Sequence, residues 1–202
     1  MKKTMAIAIL LAGVNASASN KPGTDLTVHV YVVYDMPVSN SMVLAQTCAS
    51  KLLASAGVEL KWHKPRTLDS AGPNDLTIRF VLVAPPSYRV GPKAKVLAFA
   101  RPYASGGERI LVFHDRVAGF AAPYGSRSWR VIGHVLAHEI GHVLEGIARH
   151  SGSGLMRAAW TIEDLETMTS EGLEFAPVDR ELIRANLVGH FPTPVAAEQP
   201  VR

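Results

Sequence analysis

The chain has 202 residues, of which 48% are hydrophobic and 19% are charged. This composition is typical of a globular domain and excludes intrinsically disordered and collagen-like proteins. Lysine and arginine together number 21 against 17 aspartates and glutamates, which gives a formal net charge of +4. Because these cations form no basic run interleaved with aromatic residues, the sequence predicts no nucleic-acid partner.

The N-terminus has the three parts of a secretory signal peptide. Two lysines precede an apolar run from Met5 to Val14, and Ala16-Ser17-Ala18 supplies the small residues of a cleavage site. The apolar run is about half of the roughly 20 residues needed to cross a bilayer. We therefore expect residues 1–18 to be a signal peptide cut near Ala18, and the protein to be secreted, extracellular or periplasmic, with no membrane span. A single domain over 19–190 and a loose tail over 191–202 are expected to follow.

Five segments have the composition or alternation of β-strands. They are Leu26–Tyr34, Val58–His63, Leu76–Ala84, Val96–Ala100 and Glu108–His114. A helical repeat from Val43 to Ala56 separates the first two, and the order strand, helix, strand predicts a right-handed crossover onto a shared sheet. A turn signal at Ser105-Gly106-Gly107 joins the last two strands.

Three further helices are predicted in the second half of the chain. A loop holding Pro123 and Gly125 precedes Ser128–Glu145, whose apolar residues recur at helical spacing, and Gly146 ends this helix. Thr161–Asp164 has the composition of a helix start, and Pro177 begins a last helix through Leu187. The long helix carries the residues that bear on function.

That helix contains His138-Glu139-Ile140-Gly141-His142, the pattern H-E-x-x-H. Residues four apart lie on one face of a helix, so the two imidazoles can share one zinc ion. Glu139 lies beside this face, where its carboxylate can take a proton from water without being a ligand. His134 lies one turn earlier, and we expect it to line the cleft or meet solvent.

A catalytic zinc requires a third protein ligand and leaves its fourth position to water. His150, just beyond Gly146, is the leading candidate for this ligand. Glu145 shares the helix face but lies almost a turn beyond the midpoint of the two histidines. Glu163 and Glu166 follow further along the chain and remain alternatives.

The order of these residues resembles that of the metzincin clan of zinc peptidases, in which a glycine, a third histidine and a methionine turn follow the helix motif. His150-Ser151 and Gly154-Leu155-Met156 are similar to the corresponding segments of matrixins. The metzincin pattern H-E-x-x-H-x-x-G-x-x-H places the third histidine six positions after the second. Here His150 follows His142 by eight positions, with one extra residue on each side of Gly146.

The resemblance implies an α/β fold with a twisted, mostly parallel sheet of about five strands and an antiparallel edge strand. The sheet would pack on a backing helix and an active-site helix, with a small helical part at the C-terminus. The resemblance also implies roles for particular residues. His138, His142 and His150 would bind one catalytic Zn²⁺, Glu139 would be the general base, Met156 would pack beneath the metal, and Leu97, Ala98, Phe99 and Ala100 would form the edge strand that pairs with substrate.

We therefore interpret the chain as a secreted, monomeric zinc endopeptidase that acts on protein or peptide substrates. The alternative is a non-catalytic, zinc-stabilised peptide-binding module of the same fold, in which the altered histidine spacing has closed the metal site. Glu139 favours the enzyme, because a closed metal site has no need of a base.

Overall fold

The structure is a computed structural model that describes residues 26–64, 75–89, 95–102 and 108–190. The predicted signal peptide, the predicted turn at residues 105–107 and the tail from residue 191 lie outside these ranges. The strands are β1 Leu26–Tyr34, β2 Val58–His63, β3 Asp75–Val81, β4 Ala98–Ala100 and β5 Glu108–Phe113. The helices are α1 Asn40–Ser55, α2 His114–Ala121, α3 Ser128–Glu145, α4 Ile162–Ser170 and α5 Pro177–His190.

The five strands of the described residues form one sheet in the order β2-β1-β3-β5-β4. β1 pairs in parallel with both β2 and β3, and β3 pairs in parallel with β5. β4 alone runs antiparallel, against β5 at the sheet edge. The predicted α/β class, with a mostly parallel sheet and an antiparallel edge strand, is confirmed.

Alternation along the strands places one face of the sheet in the core. Val28, Val30 and Val32 of β1 are buried, and Ile78 and Phe80 of β3 lie beside them. Because side chains alternate between the faces of a strand, the residues between these valines point to the other face. The buried face is covered by helices and forms the main hydrophobic core.

α3 crosses α1 at very close range. A Cβ atom added at Gly133 would lie 2.5 Å from the Cβ of Cys48 and 2.9 Å from the carbonyl oxygen of Ala45. Only glycine allows this approach, which brings the backbone of α3 onto the small residues of α1. The centre of α3 is thereby fixed against both the backing helix and the sheet, and Leu136 and Ile140 are fully buried.

The structure corrects the prediction for the segment that follows β5. The predicted strand Glu108–His114 ends at Phe113, and the predicted loop contains α2 and a 3₁₀ helix over Ala122–Arg127. Val117 and Ala121, one helical turn apart, are buried and anchor α2. Pro123 lies in the first turn of this segment, whereas Gly125, with φ of 52° and ψ of −122°, is not helical and marks a kink before α3.

Other boundaries differ by a few residues. β3 ends at Val81, and Leu82 and Val83 of the predicted strand are about half exposed. α1 begins at Asn40, three residues before the predicted start. The predicted start of α4 is confirmed, since Thr161 and Asp164 form a reciprocal capping box. Within the described ranges, no helix combines the length and apolarity needed to cross a membrane.

Candidate metal centre

α3 holds two histidines side by side in a buried environment. Every residue of this helix from Val131 to Glu145 is buried. His138 and His142 are each 8% exposed, and their Nε2 atoms lie 3.1 Å apart. The predicted shared face is therefore present, with both rings directed to one point.

His150 completes the cluster from the loop after α3. Gly146 ends the helix in the left-handed conformation, with φ of 69°, which turns the chain back toward the histidines. The ring centroid of His150 lies 5.4 Å from that of His138 and 4.9 Å from that of His142. One ring nitrogen from each of the three histidines lies within 4.8 Å of the other two. Among the described residues, no other group of three or more metal-binding side chains converges in this way.

The protonation states of these rings fit a zinc ion. His138 Nδ1 lies 2.9 Å from the carbonyl oxygen of Leu155. Since a carbonyl can only accept, Nδ1 carries the proton and Nε2 presents its lone pair to the cluster. Burial lowers the pKa of His138 to about 4, although the Leu155 carbonyl opposes this effect. Burial, with the neighbouring His138 and His150, lowers the pKa of His142 to about 3. Neutral imidazoles are the form that binds zinc.

The methionine turn lies directly beneath the two helical histidines. Met156 is fully buried, and a Cβ added at Gly141 would lie 2.7 Å from its Sδ atom. The Ser151 N–H donates to the Met156 carbonyl at 2.8 Å, and the Leu155 N–H donates to the Glu174 carbonyl at 2.8 Å. The turn that carries Met156 is thus attached both to the residue after His150 and to the segment before α5.

Glu139 is buried at the side of the cluster. Glu139 is only 9% exposed, and this burial raises the pKa of its carboxyl group to about 8. A hydrogen bond from the backbone of Ala100 opposes this rise. The Glu139 carboxyl group therefore contacts the edge strand β4 and belongs to a residue that lines the same cleft as the three histidines.

The edge strand β4 is shorter than predicted but lies where the prediction placed it. Leu97 precedes β4, and its carbonyl accepts from Phe113 N at 3.1 Å, while Arg101 N donates to the Arg109 carbonyl at 2.7 Å. In an antiparallel pair, alternate residues bond to the partner strand. The backbone groups of Ala98 and Ala100 consequently point away from β5, toward the free edge.

A cleft of about 580 Å³ runs past the three histidines. One wall is the segment Lys95–Ala100, which includes Phe99 of the predicted edge strand. The other wall contains Arg157, Ala158 and Trp160. The indole of Trp160 meets the His138 ring edge-on, with the ring centroids 5.4 Å apart.

The glutamates considered as third ligands lie elsewhere. Glu145 is buried with its side chain toward Arg149, whose Nε lies 3.5 Å from Glu145 Oε2. Glu163 and Glu166 are exposed on α4. None of the three belongs to the histidine cluster, which leaves His150 as the third candidate ligand within the described residues.

The prediction for His134 is wrong. This residue is fully buried, and neither lines the cleft nor meets solvent. Its Nδ1 lies 2.7 Å from the Arg130 carbonyl, and its Nε2 accepts from the Leu173 N–H at 2.9 Å. The segment between α4 and α5 covers this turn of α3, so the helix face that carries the metal cluster does not extend to His134.

Sequence reasoning missed one further contact between histidines. His29 on β1 and His63 on β2 place ring nitrogens 2.8 Å apart on the outer face of the sheet, and Tyr31 stacks on His63. The parallel pairing of β1 with β2 brings them together. The alternation along each strand predicts the face of the sheet on which each histidine lies. That the two histidines are neighbours depends on the pairing of β1 with β2, which the alternation does not predict.

Similarity to known proteins is found at the level of structure. No protein-family model matches the chain, and no curated protein matches its sequence. The crystal structure of archaemetzincin from Methanopyrus kandleri matches with a TM-score of 0.53 and 16% sequence identity. The match covers 82% of this chain and 97% of that chain. At this identity the likeness shows a shared fold.

Proposed function

We propose that this chain is a zinc-dependent endopeptidase, in which His138, His142 and His150 bind one Zn²⁺ and Glu139 is the general base. The observation that carries the proposal is the convergence of three ring nitrogens within 4.8 Å beside a buried carboxyl group in a cleft. Three histidines leave one position of a tetrahedral zinc open, as catalytic sites require. The fold shared with archaemetzincin supports the proposal, since the helix motif resembles that of the metzincins.

The chain's own residues supply the proton transfers. When bound, zinc would lower the pKa of a water molecule and polarise a peptide carbonyl. Glu139 accepts the proton of the attacking water and returns it to the leaving amine. Glu139 must be ionised to accept this proton. Burial alone raises its pKa to about 8, and the positive charge of a bound zinc ion would favour the ionised form.

β4 supports a peptide as substrate. The backbone groups of Ala98 and the carbonyl of Ala100 point away from β5 on the cleft side of the sheet edge, where an extended peptide can pair as an additional strand, while the Ala100 N–H is bonded to Glu139. Such pairing would hydrogen-bond to the peptide backbone and would place a scissile bond near the histidines. The serine after His150 and the Leu155-Met156 turn favour a matrixin-like arrangement as the finer form of this proposal. Export by the signal peptide of residues 1–18 is also part of it.

The test is cleavage of unfolded casein by the chain produced from residue 19. We expect cleavage to stop when a chelator removes the metal and to return when zinc is added. Glu139→Gln should keep its zinc and lose about 10²- to 10⁴-fold in rate, the usual contribution of a general base. Glu163→Gln, on the exposed surface of α4, is the matched control and should cleave like the wild type.

Two results would contradict the proposal. Full cleavage by Glu139→Gln would mean that another group is the base. A wild type that holds zinc and binds casein without cleaving it would instead support the non-catalytic peptide-binding module.

A further inference from the structure

The two neighbours of His150 in the chain bind the same oxygen of one buried aspartate. Arg149 Nη2 donates to Asp179 Oδ1 at 2.5 Å, and the Ser151 hydroxyl donates to that same atom. The Asp179 side chain, in the first turn of α5, has no exposed surface. A candidate metal ligand is therefore bracketed on both sides by hydrogen bonds to one carboxylate.

Asp179 is itself held in place. Its Oδ2 accepts from the Ala176 N–H at 3.1 Å, and its own N–H donates to the Ala176 carbonyl at 3.0 Å. This reciprocal pair caps the start of α5, which orients the carboxylate independently of the loop. Phe175, just before this cap, is buried beneath the methionine turn, where it lies near Gly141.

Arg149 links this carboxylate to the end of α3. Its Nε lies 3.5 Å from Glu145 Oε2, and the Glu145 side chain also has no exposed surface. Nearby, the Asn186 side chain of α5 donates to the Leu144 carbonyl at 2.8 Å. The last turn of α3, where the loop to His150 begins, is thus bound to α5 through Asn186, and Arg149 at the end of that loop is bound to both Glu145 and Asp179.

His150 needs such support more than the other two histidines do. His138 and His142 are fixed by the buried helix, whereas His150 is exposed and lies at the end of a loop with two residues more than the metzincin spacing. A longer loop has more conformations to lose when its end is held at one point. The contacts of Arg149 and Ser151 restrict those conformations before a metal arrives.

We propose that Asp179 is a positioning residue for the third metal ligand: through Arg149 and Ser151 it holds the loop so that His150 meets His138 and His142. This inference rests on the proposed zinc site. Asp179 acts through its two partners and is not a ligand. Groups that orient metal ligands from outside contribute about 10- to 100-fold to metal affinity.

The experiment compares zinc affinity, by competition with a chromophoric chelator, in the wild type, Asp179→Ala and Asp179→Asn. Ile183→Ala is the matched control, because Ile183 is fully buried on the same helix and contacts the core. We expect Asp179→Ala to weaken zinc binding by about 10- to 100-fold. Asp179→Asn keeps an accepting oxygen but loses the charge, so its zinc affinity should lie between those of the wild type and Asp179→Ala. Ile183→Ala should lose thermal stability and keep its zinc affinity.

A second readout reports the coordination directly. Cobalt(II) in the wild type should show the intense visible bands of a tetrahedral site, and these bands should weaken in Asp179→Ala as His150 leaves the metal. If Asp179→Ala does not fold, Arg149→Gln removes the same ion pair from a partly exposed position and should show the same loss.

The outcomes separate this inference from the proposed function. Zinc affinity in Asp179→Ala equal to that of the wild type, or reduced only as much as in Ile183→Ala, would overturn the positioning role. A wild type that binds zinc without cleaving casein would contradict the proposed peptidase activity. The zinc affinities of the wild type and the Asp179 variants would still decide the role of Asp179. A wild type that binds no zinc would overturn both.

Discussion

Trp160 and His138 donate hydrogen bonds to the same atom, the carbonyl oxygen of Leu155. The Trp160 Nε1 and His138 Nδ1 distances to it are 3.0 and 2.9 Å. The carbonyl just before Met156 thus fixes both a candidate metal ligand and one wall of the cleft. Orientation of the imidazole and shape of the cleft depend on one backbone group.

Trp160→Phe should show whether the orientation of His138 depends on the Trp160 hydrogen bond to the Leu155 carbonyl. The variant loses the indole N–H but leaves the His138 bond to Leu155, so we expect zinc affinity to stay within a few-fold and the free energy of unfolding to fall by about 1 kcal/mol. Trp62→Phe is the control, since it removes a similar indole bond, to Ser50 Oγ at 2.8 Å, away from the centre. A tenfold loss of zinc affinity in Trp160→Phe alone would show that His138 needs the indole for its orientation.

Glu139→Gln should stabilise the metal-free protein. The folded pKa of about 8 lies above the ordinary 4.5, so between these values the folded state holds a proton that the unfolded chain releases. Stability therefore falls as pH rises through this interval, a cost on the order of 3 kcal/mol at pH 7. Denaturation by urea should show the variant's advantage growing from pH 5 to pH 8. An advantage that is constant with pH would contradict the burial of a carboxyl group that has a backbone hydrogen bond but no counter-charge at this position.

His134 should have the opposite pH dependence. Burial lowers its folded pKa from 6.5 to about 4, so between these values the unfolded chain binds a proton that the folded protein excludes. Stability from this residue is complete above about pH 6.5 and is lost as pH falls toward 4, a loss of up to about 3 kcal/mol. Metal-free His134→Gln should unfold with a shallower acid dependence than the wild type. Identical slopes would mean that His134 is protonated in the folded protein.

Gly133→Ala should destabilise the crossing of α1 and α3. Its methyl group would meet Cys48 and the Ala45 carbonyl, both on the facing helix, and overpacking of this kind costs about 1–3 kcal/mol. Gly119→Ala is the control in α2, where an added Cβ meets nothing within 4 Å. It should be neutral or stabilising by about 0.5–1 kcal/mol because alanine favours helix. The melting temperatures of Gly133→Ala and Gly119→Ala test these two expectations. Equal melting temperatures would contradict the close approach of α3 to α1.

Much of the fold follows from local patterns in the sequence. The valines of β1 alternate and the apolar residues of α3 recur at helical spacing, so both elements are predicted within one residue of their observed ends. α2 was missed because only Val117 and Ala121 face the core, and two buried residues over eight make a weak repeat. Pro123 and Gly125 nearby favoured a loop.

The candidate site was predictable to the extent that it is local. The separation of four between His138 and His142 defines one helix face whatever surrounds it. The burial of His134 depends on Leu173, and the bracket around His150 depends on Asp179, thirty positions beyond Arg149. Contacts between distant segments of the chain leave no periodic signal, so these required the structure.

The most direct test of the zinc peptidase is the zinc content per mole of the wild type and of His150→Ala, measured together with casein cleavage by each. We predict one zinc ion and cleavage in the wild type, and the loss of both in the variant, because His138 and His142 alone hold the metal weakly. Zinc and cleavage that survive in His150→Ala would contradict the three-histidine site on which the account depends.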